Sequence, residues 1–110
     1  MVIDKAKKKR IDYLNKQQQK LPDPFNLYAL AIELKEIDVK KTSRLFNELL
    51  NIHPDYCPTY FHAADFFATQ GDFTKAESIY KKGIETIGKT KDGHALMELK
   101  NAYQNFLFDC

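Results

Sequence analysis

Residues 57–90 read CPTYFHAADFFATQGDFTKAESIYKKGIETIGKT and residues 23–56 read DPFNLYALAIELKEIDVKKTSRLFNELLNIHPDY; the two lie over each other at an offset of 34 residues. Pro24 falls on Pro58, Ala29 on Ala63, Asp38 on Asp72, Val39 on Phe73, Lys41 on Lys75, Leu45 on Ile79, Phe46 on Tyr80 and Leu50 on Ile84. A repeat of this length is one helical hairpin, too small to bury its apolar face alone, so it must stack on a neighbour. The period therefore predicts an all-α fold, with antiparallel helical hairpins stacked as a short α-solenoid of about five to six helices. It points to binding rather than chemistry.

Local signals agree with the period. Asp23-Pro24 opens a helix, because Asp is a good N-cap and Pro in the first helical position loses no needed N–H. Leu27, Leu30 (or Ala31) and Leu34 then form one apolar stripe. Asp38 can cap the next helix, and His53-Pro54 ends it, since a residue before Pro leaves helical geometry. Pro58 starts a third helix, and Gly71 ends it in the left-handed conformation that a tight turn requires. Thr74 to Glu77 offers a capping box for the fourth helix, with Asp72 as a competing cap. Gly83 lies mid-helix at a cost of about 1 kcal/mol against Ala. Either a neighbouring helix approaches closely there, or the site is merely tolerant.

The residues carrying this period resemble those of the tetratricopeptide repeat family, whose unit is a pair of antiparallel helices. Tyr60, Ala63, Ala64, Phe67, Gly71, Asp72, Phe73, Ala76, Tyr80, Gly83 and Ile84 match in type and spacing in the second unit. In the first, Ala29, Asp38, Val39, Phe46, Leu50 and Pro54 match. The first unit departs at Asn26 and Glu33, where aromatics are expected, and at Leu30 and Leu49, where small residues are. Phe25 and Tyr28 are candidates to supply the missing bulk. With two repeats and a C-terminal capping helix, the chain looks like the small stand-alone bacterial members of the family.

The expected organisation is a basic helix or extension over residues 1–22, a degenerate repeat over 23–56, a second repeat over 57–90 and a capping helix over 91–110, all one domain. Leu96, Leu99, Tyr103 and Phe106 give the last segment an amphipathic stripe. Ile11, Leu14 and Leu21 give the first a shallower one, as in the second half of a missing upstream repeat. Both end helices are read as lying outside the period.

Composition sets limits. A chain of 110 residues with 44% hydrophobic and 29% charged residues is an ordinary globule. No apolar run approaches the ~20 residues that span a bilayer. The basic start MVIDKAKKKRIDYL has no apolar stretch behind it, which argues against export. Cys57 and Cys110 make neither a disulfide framework nor a C-x-x-C motif, so a reducing cytoplasm is expected. Residues 1–20 carry seven Lys or Arg against two Asp. No aromatics alternate with Lys5, Lys7, Lys8, Lys9 and Arg10 to stack bases, so a solvated, fraying helix start is preferred over a nucleic-acid contact.

Catalytic motifs are not found. His62 and Asp65 lie three apart on one helix and can meet, but a nucleophile or metal would still be needed. A site built from Cys57, His62 and Asp65, with His53 as a further metal ligand, is the remote reading. The expectation is a non-enzyme with no cofactor, no metal, no nucleic-acid partner and no membrane.

The resemblance also implies a concave groove lined by the first helix of each hairpin. Carried over residue by residue, its positions are Pro24, Leu27, Ala31, Leu34 and Lys35, then Pro58, Phe61, His62, Asp65, Ala68 and Thr69. Family members that grip acidic chaperone tails use Lys, Asn and Arg where this chain has Leu27, Tyr28, Ala31, Phe61, His62 and Asp65. That clamp is absent. The expected function is protein–protein interaction, with a peptide or partner helix in the groove. The alternative is a homo-oligomer, or a groove filled by the chain's own C-terminal helix.

Overall fold

The computed structural model describes residues 4–20 and 23–109. Among these it has six helices and no strand: α1 (Lys5–Lys20), α2 (Pro24–Leu34), α3 (Val39–Ile52), α4 (Pro58–Thr69), α5 (Phe73–Gly88) and α6 (Gly93–Asp109). Leu21 and Cys110 lie outside the described residues. Between His53 and Pro54 the chain divides into two compact units, α1 to α3 and α4 to α6.

The end helices keep the period after all. α1, α3 and α5 begin at Lys5, Val39 and Phe73, and α2, α4 and α6 at Pro24, Pro58 and Gly93. Aspartates mark most of these starts. A carboxylate oxygen of Asp4 accepts from Lys7 N at 2.8 Å, Asp23 from Asn26 N at 2.8 Å and Asp38 from Lys41 N at 3.1 Å. Asp72 does the same for Lys75 N at 3.2 Å, and Asp92 for Ala95 N at 3.0 Å. Each cap satisfies an otherwise orphaned N–H, worth about 1 kcal/mol. Asp72, not Thr74, caps α5. At α1 the carboxylate of Asp4 offsets the unfavourable lysines, an anchor that the reading of basic residues alone overlooked.

In the first unit, α2 packs between α1 and α3. Leu27, Leu30, Ala31 and Leu34 of α2 are buried, as are Thr42, Leu45, Phe46 and Leu49 of α3. The α2 stripe thus uses both Leu30 and Ala31. Phe25 is 60% exposed and does not replace the missing aromatic. None of the α1 residues is buried. Ile11 and Leu14 are half-buried, and polar contacts add to them: Glu33 receives Lys7 Nζ at 3.2 Å and Arg10 Nε at 2.7 Å, and Lys41 Nζ donates to Asn15 Oδ1 at 2.9 Å. Glu33, a departure from the repeat pattern, is the carboxylate that two members of the basic cluster need.

The second unit has an aromatic core. Tyr60, Ala63, Ala64, Phe66 and Phe67 of α4 are buried with Ala76, Ile79, Tyr80 and Ile87 of α5 and Leu99 of α6. Gly71, at φ +85°, closes the turn between α4 and α5. At Gly83 a Cβ would come within 2.7 Å of both Tyr60 Cβ and Leu99 Cδ2, so close approach, not tolerance, explains the glycine. The Tyr60 hydroxyl donates to the Pro54 carbonyl, and burial pushes its pKa up.

Candidate functional site

The second unit contains a cavity of about 400 Å³ bounded by α4, the start of α5 and the last turns of α6. Its α4 wall is a helical face at spacings of three and four, formed by Phe61, Asp65, Ala68 and Thr69. Phe73 and Tyr80 come from α5, and Ala102, Asn105, Phe106 and Asp109 from α6. The position of α6 follows from ring contacts: Tyr80 lies 5.3 Å from Phe106 and 5.5 Å from Tyr103 between centroids, and Phe106 lies 6.3 Å from Phe73. Tyr103 adds a hydrogen bond from its hydroxyl to Glu77 Oε2 at 3.2 Å. The C-terminal helix therefore forms a wall of the cavity and does not fill it.

Of the residues named for the groove, Phe61, Asp65, Ala68 and Thr69 meet at this cavity. Phe61 is 42% exposed, and Phe73, which also lines the cavity, is 51% exposed. His62 packs edge-on against it at 5.2 Å. Thr69 turns its hydroxyl back to the Asp65 carbonyl at 2.9 Å, which leaves the Asp65 carboxylate unoccupied by that neighbour. The first unit differs from what the resemblance implied. Leu27 and Ala31 are completely enclosed and Leu34 is 5% exposed, because the same apolar face packs into the core. Those three offer no surface to a partner, and of that set Lys35, at the C-cap of α2, is exposed.

The α6 contribution was missed by reading the sequence. Its signal was present in the start of that helix at Gly93, one period (plus a residue) after Pro58. A helix at that place stands where the first helix of a further hairpin would, and supplies the opposite wall.

Among the described residues no group of three or more His, Cys, Asp or Glu side chains is placed to hold a metal ion. Burial, followed by the nearby Asp55 and Asp92 charges, pushes the Cys57 thiol pKa up. A nucleophilic thiol needs the opposite shift. No helix among the described residues is long and apolar enough to cross a membrane.

No family model and no curated protein matches the sequence. Among solved structures, the chain is similar to the crystal structure of a tetratricopeptide repeat domain protein from Salinibacter ruber. The two are 34% identical with a TM-score of 0.70, over 76% of this chain and 94% of that one. Identity at that level, across nearly the whole of the relative, reaches beyond a shared fold: the chain belongs to the tetratricopeptide repeat family.

Proposed function

We propose that this protein is a non-enzymatic interaction module that holds a peptide or partner helix against the α4–α6 cavity. The observation that carries this reading is Phe61, 42% exposed at the rim of a cavity with three further aromatic side chains. Exposed aromatics around a concave site are the usual anchors of protein recognition. Within this reading the protein is cytoplasmic and bacterial. Its 94% coverage of the solved relative supports a comparable module size.

The test is capture from native extract by the whole chain, comparing wild type with Phe61→Glu and with Lys81→Glu on α5. Phe61→Glu is expected to abolish capture of a partner that Lys81→Glu retains. Phe61 is part exposed and part packed against His62, so Phe61→Glu is expected to lose about 1 kcal/mol and stay folded in its melting curve, and unfolding would place Phe61 in the core and defeat the assignment. Equal capture by all three proteins would defeat the groove assignment. A dimer in solution that Phe61→Glu dissociates would instead favour the homo-oligomer.

A further inference from the structure

The lining of the cavity is not neutral. Two carboxylates, Asp65 on α4 and Asp109 on α6, stand among Phe61, Phe73 and Phe106, and no Lys, Arg or His lines it. Among the described residues, the ion pairs of this unit use Glu77, Glu85 and Glu98, so neither aspartate is neutralised by one of them. We propose that the cavity selects a protein segment carrying a lysine or arginine beside an apolar side chain. This deepens the interaction reading above and rests on it.

The physical match has two parts. Lys and Arg have apolar stems that pack along phenyl rings while the charged head remains near water. The head then reaches carboxylates, and ring faces add a cation–π attraction. The same unit already uses that chemistry internally, with Lys75 Nζ lying 4.5 Å from the centroid of the Phe67 ring. An acidic segment would meet two like charges and no cation among the lining residues. A cavity of about 400 Å³ is at the small end of binding pockets, suited to one or two side chains of a segment.

The unit that holds the cavity, residues 54–110, has six Lys against eight Asp or Glu, so its wider field favours basic peptides as well. Removing only the two lining aspartates separates their local share from that field. A randomised peptide library is selected on the full chain, on Phe61→Glu and on the double variant Asp65→Asn/Asp109→Asn. Both aspartates are exposed, so the double variant should fold normally.

The wild type is expected to enrich peptides with Lys or Arg next to an apolar residue. The double variant should lose that preference while still enriching apolar residues. Binding of a selected peptide should weaken roughly two- to fivefold for each aspartate removed, and weaken further with salt. Enrichment without charge preference, or with Asp and Glu, would overturn the proposed selectivity and leave the groove intact. If wild type enriches nothing beyond Phe61→Glu, the groove reading itself falls, and the selectivity with it. Dimerisation of the wild type that the double variant abolishes would make the occupant a second copy of this chain and overturn the proposal.

Discussion

Glu33 and Phe67 occupy the same position in the 34-residue period, yet they join their surroundings by different physics. Glu33 holds Lys7 and Arg10, and α1 docks on α2 with these charges beside a half-buried Ile11 and Leu14, none of its residues being fully buried. Phe67 is enclosed in an aromatic core, and in the same unit α6 docks through Leu99, Tyr103 and Phe106. A repeat pattern thus fixes where a helix goes without fixing what fastens it. Partly exposed ion pairs contribute little and respond to salt. Buried apolar contacts contribute more and do not.

The comparison is broken most severely at Leu99, which is 2% exposed. Leu99→Ala should cost about 2–4 kcal/mol in urea unfolding and release α6, while amide protection in α1 is unchanged. A cost below about 1 kcal/mol would mean that α6 is not fastened by buried contact. Next comes Gly83→Ala. Helix propensity would gain about 1 kcal/mol, but overpacking against Tyr60 and Leu99 costs about 1–3 kcal/mol. We expect a net loss of about 1 kcal/mol, and a gain would sink the close-approach explanation.

The smallest effect is expected at the charged seam. Glu33→Gln should lower the melting temperature by no more than a few degrees, and the difference should vanish in about 1 M salt, where the Debye length is about 3 Å. Hydrogen bonding from Arg10, first among several causes, holds the Glu33 carboxyl below its ordinary value of 4.5. Its folded pKa is lowered, so its contribution is present above about pH 4.5 and is lost as the pH falls through the lowered value. The pH dependence of wild type and Glu33→Gln should therefore diverge above that window and converge below it. Parallel curves would show that the pair contributes nothing.

Much of the fold was legible because it rests on local chemistry. Asp38, Asp72, Gly71 and Pro58 act within a few residues of themselves, and their roles follow from capping and φ preferences. Glu33 was opaque because its partners are 23 and 26 residues away and only the docking of α1 brings them together. The candidate site divides the same way. Its α4 face could be transferred by position, but Leu27, Ala31 and Leu34 show the limit of that transfer. An apolar residue on a helix looks the same whether its cover is the core or a partner. The α6 wall was missed because the period was stopped at residue 90, although the helix start at Gly93 continues it.

The turn at Gly71 has a consequence for the order of assembly. By joining α4 to α5 through three residues, it makes their contacts among the most local in the second unit. Local contacts form at low entropic cost, whereas those between α4 and α6 must wait for a longer loop to close. The α4–α5 hairpin should then form early and the cavity late. Opening would run in reverse, with α6 leaving first, so hydrogen exchange should find the α6 wall less protected than the hairpin behind it. A binding site whose second wall is the last to arrive can be completed by its ligand, and affinity would then be set partly by how often that helix is already in place.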